Sequence, residues 1–315
     1  MQLIIRALAL FAFAAAAHAQ NISIATGGTG GVYYPLGGGM AAVLSKYVQG
    51  MQATAEVTGG SVANLQLIGT EKPYLGMTMA DATLDAYKGE DKFKGKPVQV
   101  RTLLVMYPNR MHVVTIEGTG INTMKDLKGK RVSTGSPGSA TEVMGFRVIE
   151  AAGLDKDKDM KRERLGVAES VNALKDRKID AFFWVGGLPT AAVTDLASSP
   201  GVKIRMIDIA HLVPTMAKTH GNIYIKDVIP QRTYNGMDKD NQAATVTNLL
   251  VAHQSMDDKT AYAIVKTLWE HRVDLVRTHA EAVNIKPENQ RADASSIPWH
   301  PAALKFFAEQ GIKIK

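Results

Sequence analysis

Short apolar runs of β type alternate along the chain with stretches in which apolar residues recur every three or four positions. That alternation predicts an α/β fold. "NISIAT" reads as a strand, and "PLGGGMAAVLSKYVQG" after it places Met40, Val43, Leu44, Tyr47 and Val48 on one helical face. Pro35 falls where a first helical turn tolerates it, and Gly50 follows the last periodic residue. Gly27 to Gly31 are therefore expected to form a strand-to-helix loop.

The same unit recurs. "ATAEVTGGSVANLQLIGT" reads as a strand, the loop Thr58-Gly59-Gly60-Ser61 and a helix carrying Val62, Leu65 and Ile68. "GKRVSTGSPGSATEVMGFRVIEAAGL" reads as a strand, a loop from Thr134 to Ser139 and a helix ending at Gly153; "IDAFFWVGGLPTAAVTDLA" as a strand, Gly186-Gly187 and a helix with Pro189 near its start. All four turns combine glycine with hydroxyl residues. Glycine lets backbone approach a ligand, and the hydroxyls cap helices or bind.

The turns fall into an early pair and a later pair, separated by "VRTLLVMYPNRMHVVTIEG", a β-type run broken at Pro108-Asn109. Two α/β lobes follow, with the chain crossing near 108 to 112 and returning near 220 to 230, where "GNIYIKDVIP" is the candidate return strand. Lobe 1 takes 20–110 and 226–315, and lobe 2 takes 111–225. The helical "DDKTAYAIVKTLWEHRVDLVRTHA" and "HPAALKFFAEQG" would pack on lobe 1.

The first residues, "MQLIIRALALFAFAAAAHAQ", give one cation at Arg6, an apolar run and the small-x-small triplet Ala17-His18-Ala19. That order predicts a signal peptide over 1–19, a mature start at Gln20 and a periplasmic protein. About 295 residues then remain, enough for two lobes. No later run reaches the length of a membrane span.

The chain holds 37 Lys and Arg against 30 Asp and Glu and no cysteine. Disulfides, thiol nucleophiles and cysteine-bound metals are excluded, and the scattered basic excess makes no nucleic-acid footprint. "ATGGTGGVYYPLGGGM" looks at first like a phosphate loop. A dinucleotide motif needs a third glycine where Tyr33 stands, and no glycine-lysine-hydroxyl sequence follows. "TGSPG" lacks the first glycine of a nucleophile elbow, and the eight histidines are scattered without ligand spacing. No enzyme, cofactor or metal is expected.

Helix starts expose unpaired N–H groups and the positive end of the dipole, and ligands of open α/β sheets sit where such loops lie. The loops thus point to a small anion held between lobes. Asp81 either caps its helix or reaches the cleft. Trp184, Tyr33 and Tyr34 either line the ligand or serve as core aromatics. Arg110 is placed either to pair with a ligand carboxylate or to form a hinge salt bridge.

"ISIATGGTGGVYYPLGGGMAAVLSK", "VTGGSVANLQLI", "MADATLDAYKG", "DLKGKRVSTGSPGSATE", "DAFFWVGGLP" and "IPWHPAALKFFAEQG", in that order, resemble the TAXI-type (TRAP-associated extracytoplasmic immunogenic) solute-binding proteins of TRAP transporters. The resemblance implies a type II-like, two-lobed periplasmic binding fold that captures a small carboxylate, such as glutamate, glutamine or oxoglutarate, for TRAP permease subunits. It places Thr26, Gly28 and Gly31 near the ligand, with Tyr33 or Tyr34 over it, then Ser61 and Asn64, then Ser136, Ser139 and Thr141, and finally Trp184 and Gly186. Met79 and Ala80 stand where relatives often show a glutamine-serine pair before the aspartate. An ABC importer or a sensor kinase served by the same fold is the alternative, with an exported enzyme third.

Overall fold

The computed structural model describes residues 20–314, so the predicted signal peptide lies outside the described residues. The chain opens with β1 (Gln20–Ala25), α1 (Tyr33–Tyr47), β2 (Met51–Glu56), α2 (Ser61–Ile68), β3 (Tyr74–Met79) and α3 (Ala80–Lys88). It continues through the long β4 (Val100–Ile116) into β5 (Arg131–Ser133), α4 (Ala140–Ala151), β6 (Lys161–Glu163) and α5 (Val167–Lys175). Next come β7 (Ala181–Gly186), α6 (Ala191–Ala197), β8 (Ile204–Met206), α7 (Val213–His220) and β9 (Ile225–Ile229). A second long strand, β10 (Asn241–His253), leads to α8 (Asp258–Glu270), α9 (Arg272–Val276) and α10 (Pro301–Glu309).

The apolar periodicity read from the sequence is what these helices bury. In α1 the buried face is Leu36, Met40, Val43 and Leu44, and in α2 it includes Val62, Leu65 and Ile68. Tyr47 departs from the expected face: it is largely exposed and stacks on His271 with ring centroids 3.6 Å apart. Helix α4 starts from Ser139, whose side chain accepts the Glu142 N–H, and Gly153 just beyond it adopts φ +75°.

The sheet runs β2-β1-β3-β10-β4-β7-β5-β6. Its two ends are parallel trios, β2-β1-β3 and β7-β5-β6. Between them β4 and β10 run antiparallel, and each spans both halves. Up to Arg110, β4 pairs with β10; from Arg110 to Thr115 it pairs with β7. At about 3.3 Å per residue, β4 alone reaches roughly 55 Å.

The return across the sheet is carried by β10, not by the 220–230 segment. Strand β9 pairs only with Asn241–Thr245 and leaves Ile225 and Lys226 exposed, as an edge strand does, whereas β10 is buried along most of its length. The register between β10 and β4 slips between Thr247 and Leu249, a bulge centred on Asn248.

Successive residues of β7 face opposite ways: Phe183 joins the larger apolar core and Phe182 a second one built with α5 and α6. Helix α8 packs on α1 and α10. Among the described residues no helix is long and apolar enough to cross a membrane.

Candidate functional site

Four helix starts converge on one cavity of about 390 Å³: α1 at Val32–Tyr33, α2 at Gly60–Ser61, α4 at Ser139–Thr141 and α5 at Gly166–Glu169. The remaining wall comes from Trp184–Gly186 at the end of β7 and from Tyr107 and Asn109 on β4. Each helix start offers first-turn N–H groups without a partner in its own helix, together with the positive end of its dipole. These helix ends favour an anion without an available side-chain cation, and Glu169 is the acid on the described lining. Arg164 is the one cation on its described lining, and its guanidinium grips Glu142 through two contacts, at 2.6 and 3.2 Å.

The two halves of the sheet meet here directly. Ser136 Oγ donates to the Gly59 carbonyl at 3.1 Å, Ala63 N–H to Gly138 at 3.0 Å, and Ala192 N–H to Gly30 at 3.3 Å. Such approaches need bare backbone. A Cβ on Gly59 would lie 2.5 Å from the Pro137 carbonyl oxygen, and one on Gly31 would lie 2.8 Å from the Trp184 ring.

Nine of the thirteen residues singled out from the sequence line this cavity: Gly28, Gly31, Tyr33, Ser61, Ser136, Ser139, Thr141, Trp184 and Gly186. The other four do not. Thr26 is fully buried and donates its hydroxyl to Glu56 at 2.7 Å. Asn64 lies beneath the loops, donating from Nδ2 to the carbonyls of Ala25, Thr26 and Met77 and accepting from Thr58 at 2.6 Å. Tyr34 is 38% exposed.

Asp81 faces a different cleft, where it accepts from Tyr224 at 2.8 Å and sits 4.0 Å from Arg147. It lies in the first turn of α3, and its Oδ1 accepts the Ala82 N–H. Arg110 is turned away from the cavity, 2.9 Å from Asp227 and 3.5 Å from Glu281, the hinge-type ion pair of the two readings its sequence position allows.

The lining hydroxyls differ in what they have left to give. Ser139 Oγ donates to Ser136 O at 2.7 Å and accepts from Glu142 N, and Ser136 is committed to Gly59. Ser61 Oγ accepts the Met79 N–H at 3.1 Å and lies within hydrogen-bond reach of the Tyr33 phenol. Trp184 donates its indole N–H to Thr190 at 2.9 Å, which fixes the ring over Gly31. Burial pushes the Tyr33 and Tyr107 phenols above their ordinary range, so both remain neutral.

Tyr107, Asn109 and the start of α5 are lining residues that the loop reading passes over. The expected break at Pro108-Asn109 is absent: β4 runs through it, and Tyr107 and Asn109, spaced i, i+2, share one face of the strand. The α5 loop carries a single glycine, Gly166, without the paired glycines that marked the other turns. Among the described residues no group of three or more His, Cys, Asp or Glu is placed to hold a metal.

Solved structures share this architecture. MatC from Rhodopseudomonas palustris with bound malate aligns with a TM-score of 0.54 at 12% identity, over 84% of this chain and 88% of its own. The periplasmic binding protein BugD aligns at 0.52 and 13%, over 94% and 98%. The ligand-binding component of an ABC-type import system from Staphylococcus aureus, with zinc bound, aligns at 0.51 and 10%, over 93% and 92%. At such identities the likeness establishes the fold alone, that of periplasmic solute-binding proteins. Residues 24–311 match the model of the NMT1-like family, and the chain belongs to that family.

Proposed function

We propose that this protein is an extracytoplasmic solute-binding protein of the TAXI type, exported by residues 1–19, that captures a small organic carboxylate and presents it to a TRAP transporter permease. The observation that carries the reading is the convergence of four helix N-termini on one cavity whose one cation among the described lining residues is already paired. Backbone N–H groups then do the work of an arginine clamp. Each charge-assisted hydrogen bond contributes about 1.5 to 3 kcal/mol net.

In this reading the ligand meets Gly28, Gly31, Tyr33, Ser61, Ser136, Ser139, Thr141, Trp184 and Gly186. Thr26 and Asn64 hold the loops, while Tyr34 and Asp81 lie outside the contact set. The lobes hinge where β4 and β10 cross, near Asn109 and Asn248. Ligand contacts shared between lobes favour the closed form, and only that difference in affinity drives closure.

Native mass spectrometry of gently purified protein should reveal a retained carboxylic acid, and scattering should show compaction when the stripped protein is resaturated with it. A retained ligand without an acidic group, or no change in radius, would sink the proposal. A second reading, the same fold serving an ABC importer or a sensor, draws support from cavity size. About 390 Å³ is roomy for a five-carbon acid and accepts an anion with a larger apolar body.

A further inference from the structure

Strand β4 presents Tyr107 and Asn109 to the cavity, and neither has completed its hydrogen bonding. The two residues are only 1% and 2% exposed, yet Tyr107 Oη and Asn109 Oδ1 have no partner among the described residues. Asn109 Nδ2 is occupied, donating to Asn248 Oδ1 at 2.7 Å. An unpaired buried hydroxyl or amide is costly, so two on one wall mark a place where a ligand group completes the set.

That wall carries no charge to match a second anion. Arg110, the neighbouring cation, lies on the other face of β4 and is held by Asp227 and Glu281. Ser61, a nearby lining hydroxyl, is neutral as well. A second carboxylate brought to Tyr107 and Asn109 would be desolvated opposite neutral groups, whereas an amide or hydroxyl would satisfy both.

We propose that Tyr107 and Asn109 form a specificity subsite for a neutral hydrogen-bonding group, so that the preferred ligand is a monocarboxylate bearing an amide or hydroxyl rather than a dicarboxylate. This rests on the carboxylate reading above. The loops hold the single anion, and β4 reads the other end.

Three probes with the same five-carbon amino-acid frame test it by calorimetry: L-glutamine with an amide end, L-glutamate with a carboxylate end, and L-norvaline with an apolar end. Their shared head cancels in the comparison. Wild-type protein should bind L-glutamine about tenfold more tightly than either of the others. Tyr107→Phe, which removes one oxygen and little volume, should bring the glutamine-to-norvaline ratio close to one, and Asn109→Ala should do the same.

A tyrosine that merely supported the fold would weaken all three probes alike. L-glutamate binding as tightly as L-glutamine, or a ratio unchanged in both variants, overturns the subsite while leaving the carboxylate reading in place. No binding of any probe to wild-type protein overturns the subsite as a reader of amino acids, while the carboxylate reading falls only if native mass spectrometry also finds no retained acid.

Discussion

Tyr33, at the start of α1, donates its phenolic hydrogen to Asn248 Oδ1, in the bulge of β10. Asn109 of β4 donates to the same oxygen. A cavity-lining aromatic is thereby tied to both strands that join the halves of the sheet, at the point where the register slips. Asn248→Ala would leave a buried phenol and a buried amide without their acceptor. We expect a loss of about 2 kcal/mol in unfolding free energy by urea titration, and weaker ligand binding because Tyr33 is no longer held. Unchanged stability would show that the bond contributes nothing to the fold.

Gly59 tests whether closure is needed for capture. Its hypothetical Cβ lies 2.5 Å from the Pro137 carbonyl oxygen, a group on the opposite half, and nothing else within that range comes from its own half. Gly59→Ala should therefore fold normally but fail to close. Thermal midpoint should stay near wild type, the ligand-induced compaction in scattering should shrink, and affinity should fall by about tenfold or more. Full compaction in the variant would mean the two loops have slack that their geometry does not suggest.

The fold and the glycine loops were legible because both follow from local rules. Period 3.6 in α1 and α2 and the glycine-hydroxyl turns before α1, α2 and α4 depend only on nearby residues. What escaped the sequence depends on contacts far along the chain. Asn64 carries the amide of a ligand contact, but three carbonyls brought together by β1, its loop and β3 consume its donors. Asp81 sits beside a glycine-free strand end, and its role is set by Tyr224 and Arg147, more than 60 residues away. Strand β10 mixes apolar residues with Asn241, Gln242, Thr245, Thr247 and Asn248, and only its pairing with β3, β4 and β9 shows that it makes the return crossing. The sequence reading broke the strand at Pro108-Asn109, whereas β4 runs through them unbroken, and the unfilled hydrogen bonds of Tyr107 and Asn109 exist only in three dimensions.

Arg147 of α4 binds two carboxylates of α3. Its Nη2 donates to Asp85 Oδ2 at 2.5 Å and its Nη1 to Tyr224 Oη at 2.8 Å, and that hydroxyl in turn donates to Asp81. Burial raises both acids above the ordinary carboxylate range, Asp85 to about 6, with Arg147 opposing the rise. Arg147→Met would leave two buried anions uncompensated and should cost about 3 kcal/mol at pH 8. The penalty should shrink at pH 5, where the carboxyls take up protons. An equal loss at both values would mean that packing of the side chain, not its charge, is what counts.

His112 supplies the pH dependence with the opposite sign. It is fully buried on β4 between Arg110 O, 2.8 Å from Nδ1, and Tyr234 Oη, 2.9 Å from Nε2. Burial lowers its pKa from 6.5 to about 4, so the folded protein holds it neutral while the unfolded chain protonates it near 6.5. The unfolded state binds the extra proton between those values. Stability from this residue is therefore complete above about pH 6.5 and declines as pH falls toward 4. Between pH 7.5 and pH 5 the loss amounts to about 2 kcal/mol. In His112→Gln the titrating group is gone, and the change in unfolding free energy between these two pH values should be smaller than in wild type by that amount. Urea denaturation of both proteins at both pH values measures the difference directly. Identical pH responses would place the acid sensitivity of the fold elsewhere, with the raised carboxyls of α3 excluded by their sign, since groups that bind protons more tightly when folded gain stability as the pH drops.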